Sequence, residues 1–260
     1  MTTLHFGFGP LEAEFWRLVF AMTRIGAAML AAPFFGAGNV PPQARVIVTG
    51  AIAVLVCAWT PLAAPPALLS APGLLVVAGE VLVGLALGFV LQLAFAAPVI
   101  AAEVISGAMG MGMATAVDPN SGAQSPALGQ YFTVVLTLVF FATGGHLHWM
   151  ALLVDSYRVL PPGETWIGGG KSAEIAGFAA ALFATAVSIA LPVTLLLLLV
   201  QLVTGVLSRS APALNLFALG LPAGVLAGLA ALIAAAPMVA DRMSDLSAAA
   251  VASAARVLTP

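Results

Sequence analysis

Arg17, Arg24, Glu80 and Glu103 are ionisable groups set in or beside long apolar stretches of the chain. A bare arginine in lipid costs roughly 2.5 kcal/mol or more, so each of these groups needs either a partner or water. Arg17 and Arg24 are seven residues apart and share one face of a helix. Glu14 precedes Arg17 at the three-residue spacing of a local ion pair, while Glu80 and Glu103 are candidate partners from a third helix. The set fits structural pairing inside an assembly or the direct lining of a conduit. A titrating proton path has a weaker basis, because only two acids, Glu80 and Glu103, fall at mid-membrane positions.

Other chemistries find no constellation. His146 and His148 are two residues apart, which on a helix turns them about 200° from each other, so they cannot chelate one ion and instead suit polar packing or helix-end capping. The run GGGKSAE at 168–174 approaches a phosphate-binding loop but has Thr165 where the pattern needs its first glycine. The serines of NSGAQSP have no neighbouring histidine to activate them. Cys57 is the only cysteine and lies in an apolar run, which excludes an internal disulfide and a cysteine-based metal site. Asp155 and Arg158, three apart, form a surface pair. No catalytic, metal or cofactor site is expected, and the chain reads as non-enzymatic.

The elements that must position these groups are apolar helices. With 62% hydrophobic and 7% charged residues, against about 25% charged in ordinary soluble domains, this is a membrane-class chain with no soluble domain left over. The net charge of -2 provides no basic face for nucleic acid. No charged residue occurs between Arg45 and Glu80, from 81 to 102, 119 to 154, 175 to 208 or 210 to 240; each window can hold the roughly 20 residues that cross a hydrocarbon core. Six helical regions follow, at about 13–33, 44–62, 74–104, 127–156, 173–207 and 214–240, with room for a tail helix to 257. The expected fold class is all-α and polytopic, with helices kinked near Pro33, Pro98, Pro192, Pro222 and Pro237. Glycines four apart in GLALG (84–88) and GLPAGVLAG (220–228) offer faces for close helix approach. The longest connector, about 157–172, marks a boundary between a four-helix first part and a helical hairpin. Basic residues in connectors are too few to fix orientation. The N-terminal MTTLHFGFGPLEAEF lacks a basic region, so the first apolar stretch is expected to be retained.

One segment fits neither lipid nor water. GAMGMGMATAVDPNSGAQSP, residues 107–126, interrupts the apolar runs with glycines, alternating methionines and a turn cluster. Gly107, Gly110 and Gly112 permit tight or left-handed backbone, and Met109, Met111 and Met113 are flexible side chains that fill irregular gaps. Asp118 and Pro119 suit a turn, and Ser125-Pro126 a helix start. Non-helical backbone at membrane depth must be buried in protein or line a cavity, so the segment is either a buried connector or a pore-facing seal.

Four stretches carry a family resemblance: PFFGAGNVPPQARV at 33–46, MGMATAVDPNSGAQSPALGQ within 107–130, FFATGGHLHWMALLVDSYRVLPPG at 140–163, and SRSAPALNLFALGLP at 208–222. Together they make the chain resemble the FliR family of the bacterial flagellar type III export gate, related to the SctT group of injectisomes, and the last stretch looks more flagellar than injectisome. The resemblance implies assembly with FliP-like and FliQ-like subunits, and with an FlhB-like switch protein, into a gate in the inner membrane at the flagellar basal body, through which unfolded flagellar export substrates leave. It implies a FliP-like part over 1–165 joined to a FliQ-like hairpin and tail over 166–260. It also implies that the loop 106–125 is a plug in the pore, with Gly107, Met109, Gly110, Met111, Gly112, Met113, Asp118 and Pro119 as its gate residues. Family members carry helices largely above the bilayer plane, so not every apolar helix need touch membrane lipid. The alternative class is a secondary transporter with a midplane small-molecule site, which predicts repeat symmetry between the halves; no convincing repeat is seen.

Overall fold

The computed structural model describes residues 10–36, 40–60, 62, 70–111, 127–163, 169–210 and 216–258. Among these, every regular element is an α-helix: α1 (Pro10–Ala31), α2 (Pro42–Trp59), α3 (Ala71–Ala108), α4 (Ala127–Ala142), α5 (Gly145–Val159), α6 (Gly169–Ser210) and α7 (Leu216–Leu258). Local chemistry sets several ends. α2 has proline in its first turn, where no backbone N–H is needed, and closes with the Thr60 N–H on the Val56 carbonyl at 2.8 Å. The Ser70 hydroxyl accepts the Gly73 N–H at 3.2 Å and caps the start of α3.

Two expectations change. The region expected as one helix over 127–156 is two helices bent by 68°. Gly144 adopts a left-handed φ of 73°, a conformation open to glycine at little cost, and its carbonyl accepts the N–H groups of Leu147 and His148 at 3.0 and 3.1 Å to start α5. The tail expected beyond 240 is not separate, because α7 runs unbroken through Pro222 and Pro237 to Leu258. Over that tail the buried positions Val239, Met243, Leu246, Ala250, Ala254 and Val257 recur every three or four residues, while Asp241, Arg242 and Asp245 lie on the exposed face.

Among the described residues, four helices contain stretches long and apolar enough to cross a membrane: Pro42–Trp59, Ala71–Ala108, Ser172–Leu207 and Pro222–Leu258. The bent pair α4–α5 qualifies as a fifth if counted as one span. The exposed surface of α6 is built from Phe183, Val187, Leu191, Leu195 and Leu202, a face suited to lipid tails or to a neighbouring apolar helix.

The chain divides into two compact units, one of Met1–Leu93, Gly144–Phe178 and Ala249–Pro260, the other of Ala94–Thr143 and Ala179–Ala248. In the first unit α1 packs on α2, and Phe20, Ile25 and Met29 are buried, as are Leu87 and Leu91 of α3 and Trp149 and Leu153 of α5. The Trp149 indole N–H donates to the Leu87 carbonyl at 3.3 Å. In the second unit Phe95 meets Phe140 edge-on at 5.8 Å, and Gly129 brings α4 to within contact of Val99 and Ala102 on α3.

GLALG is the surface on which α1 and α3 approach. A Cβ on Gly84 would collide with the Arg24 carbonyl oxygen, and one on Gly88 would stand 2.5 Å from the Ala28 oxygen. Both obstacles are backbone atoms, which cannot swing aside. Gly84→Val is therefore expected to destabilise the protein by about 1–3 kcal/mol or more through overpacking. A thermal melt in detergent reads this; an unchanged midpoint would refute the packing role of Gly84.

Candidate functional site

Arg24 and Glu80 form a buried node in the first unit. Arg24 is 0% and Glu80 3% exposed. The arginine meets the carboxylate side-on, Nε donating to Oε2 at 2.8 Å and Nη2 to Oε1 at 3.0 Å. Nη1 donates to the Ser156 carbonyl at 2.9 Å and to its hydroxyl oxygen at 3.1 Å, and Nη2 also donates to the Leu160 carbonyl at 3.0 Å. An arginine has five N–H donors in a fixed fork, and each has an acceptor here. The guanidinium lies 4.3 Å from the Tyr157 ring centroid, and the Tyr157 hydroxyl donates to the Ala21 carbonyl at 2.6 Å. The Gly163 N–H points at Glu80 Oε1 from 3.4 Å.

Burial and complete pairing give this node a structural character. It ties α1, α3, α5 and the chain following α5 together, and it offers no donor to a passing solute. Of the two outcomes left open for Arg24 and Glu80, pairing or conduit lining, the geometry favours pairing. Ser156, Tyr157 and the Leu160 carbonyl had no sequence signal, since they stand more than 130 residues from Arg24. Arg17 pairs locally with Glu14 at 2.8 Å. The Asp155–Arg158 surface pair is present at 3.8 Å. His148 Nδ1 lies 3.0 Å from the Gly144 carbonyl at the α4–α5 bend.

The second arrangement is the end of α3, in the second unit, where the segment 107–126 begins. Gly110 has a left-handed φ of 80°. Its N–H donates to the Gly107 carbonyl at 3.0 Å, and the Met111 N–H to the Ser106 carbonyl at 3.0 Å. That pair of bonds is the Schellman closure, which satisfies two helix-terminal carbonyls. The next carbonyl, that of Ala108, accepts the side-chain amide of Gln201 on α6 at 2.8 Å.

Met109 is 6% exposed and sits against the glycines of α7. A Cβ on Gly224 would lie 3.0 Å from the Met109 carbonyl oxygen, and one on Gly228 would lie 2.6 Å from Cγ and 2.8 Å from Sδ and Cε. Gly220, the first of the series, meets nothing within 4 Å. The four-residue glycine spacing thus makes a notch with a named occupant. α6 and α7 together fix the last turn of α3.

The remaining expected residues fall as follows. Gly107 is helical with open space around it, so it supplies no left-handed turn; Gly110 does. Met111 is half-buried. Gly112, Met113, Asp118 and Pro119 lie outside the described residues. Glu103 is on the exposed face of α3, with no hydrogen bond or ion pair to another described residue. Gln201 was not singled out from the sequence; a lone glutamine in a leucine-rich helix was its only signal.

Comparison with known proteins agrees with the sequence resemblance. The model of the family described as bacterial export proteins, family 1, matches residues 15–250. The chain is 31% identical over 230 residues to the flagellar biosynthetic protein FliR of Escherichia coli (strain K12), covering 88% of this chain and 86% of that protein. It is 32% identical over 204 residues to the protein of the same name from Bacillus subtilis (strain 168), covering 76% and 78%. The secretion system apparatus protein SsaT of Salmonella typhimurium matches at 31% over 147 residues, 56% of this chain and 57% of that one. On the match along nearly its whole length, the chain belongs to the bacterial export proteins, family 1, the family of the FliR proteins.

Proposed function

We propose that this chain is a core subunit of the flagellar type III protein export gate in the bacterial inner membrane, forming part of a protein-conducting channel and contributing the plug that closes it. Its partners in this reading are FliP-like and FliQ-like subunits and an FlhB-like switch protein. Residues 1–165 take the FliP-like role and 166–260 the FliQ-like hairpin. The chain acts sterically and not as an enzyme. A pore wide enough for an unfolded polypeptide would leak ions, so a deformable constriction must fill it at rest and yield to a substrate.

The observation that carries the plug reading is the fixed root of the segment 107–126. Gln201, Gly224 and Gly228 hold the last turn of α3, and the chain turns at Gly110 into the methionine- and glycine-rich stretch. A seal needs a rigid base so that substrate displaces the loop and not the wall.

The test is deletion of residues 110–120 in the assembled gate, with conductance measured in a planar bilayer. The closed-state leak is expected to rise. An unchanged leak would reject the plug, and failure of the chain to co-purify with FliP-like and FliQ-like subunits would reject the gate.

A further inference from the structure

We propose that Glu103 is the docking point for an arginine or lysine carried by a helix of a neighbouring gate subunit, seated on the face of α3 formed by half-buried Ala96 and Ile100 and exposed Glu103 and Gly107. The proposal rests on the chain being a gate subunit.

In α1 and α3 the chain pairs Arg17 with Glu14 and Arg24 with Glu80 internally. Glu103 is the exception in α3. It is exposed, it stands in a helix uncharged from Val81 to Ala102, and no charge follows it before Asp118. Among the described residues no cation reaches it. A carboxylate facing lipid is costly, and the complement that removes this cost is a basic side chain.

The surroundings fit a helix as the carrier. Ala96, Ile100, Glu103 and Gly107 fall within an arc of about 60° on an ideal helix. Two of them are small, and a Cβ on Gly107 would meet nothing within 4 Å. Alanine above the carboxylate and glycine below it let a second helix come close. The opposite side of this part of α3 is closed: Ala97, Ala101, Ala102 and Ile105 are buried.

The experiment co-expresses the tagged full-length chain with the FliP-like and FliQ-like subunits and measures intact complex by native mass spectrometry after detergent extraction. Because Glu103 is exposed in the isolated chain, Glu103→Gln and Glu103→Lys are expected to leave the extracted chain folded, as judged by its thermal midpoint. Complex recovery should fall about tenfold or more for Glu103→Lys, as when a desolvated charge pair is reversed, and less for Glu103→Gln. A single Arg→Glu or Lys→Glu change in a partner should restore recovery with Glu103→Lys. Wild-type recovery with Glu103→Lys overturns the proposal. So does a normal complex whose conductance alone changes, which would put the carboxylate in the conduit. If the wild-type chain forms no complex, the subunit reading falls and the docking point falls with it.

Discussion

Replacement of Arg24 by methionine should leave a chain that barely accumulates in the membrane. The substitution strands the Glu80 carboxylate, 3% exposed, with only the Gly163 N–H at 3.4 Å for company. It also removes the donors that serve the Ser156 and Leu160 carbonyls. Removing one partner of a buried ion pair costs about 3–5 kcal/mol, a large share of the about 5–15 kcal/mol that holds a typical protein together. Arg24→Lys should recover little, because an ammonium has three donors and no planar fork. The informative variant is the double change Arg24→Met with Glu80→Leu. Apolar replacement of a whole buried pair is often neutral, so the double variant should be more stable than Arg24→Met alone. Thermal melts of the purified variants decide it. If Arg24→Met melts like the wild type while ion conductance of the assembled gate changes, the pair belongs to a conduit and the structural assignment is wrong.

That node also shows how far the sequence could be read. Arg24 and Glu80 announce themselves because charge is rare in this chain, and Glu80 was one of two candidate acids. The sequence could not choose between Glu80 and Glu103, since the choice depends on which face of α3 turns toward α1. GLALG held that information: its glycines mark the face that touches α1, and Glu80 is four residues before Gly84 on it. Helix number was legible from charge-free windows, except at Gly144. There a two-glycine run inside an apolar region gave too weak a break to outweigh the periodicity around it. The partners of Arg24 beyond Glu80 are mostly backbone carbonyls, and a carbonyl has no residue type to betray it. Likewise the glycine series of α7 predicted a close approach but not what approaches.

What approaches is Met109, and the second large effect concerns it. Gly228→Val should unseat the Met109 side chain, because even the first added carbon would stand 2.6 Å from Met109 Cγ. Helix propensity works the other way: replacing a helical glycine by alanine gains up to about 1 kcal/mol. A loss of stability in Gly228→Ala would therefore come from the clash, which overpacking puts at about 1–3 kcal/mol. The methionine's flexibility offsets part of this, so the larger valine is the stronger probe. The decisive measurement is a double-mutant cycle. Met109→Ala empties the space that the new methyl of Gly228→Ala would fill, so the two changes together should cost less than the sum of the singles, by about 0.5–3 kcal/mol for residues in contact. Strict additivity would show that the methionine and the notch do not meet in the protein. Gln201→Leu tests the other half of the clamp, since it leaves the Ala108 carbonyl without its 2.8 Å donor. If the segment beyond Gly110 acts as the proposed plug, Gly228→Val should also raise the closed-state leak of the assembled gate without any change inside the segment itself.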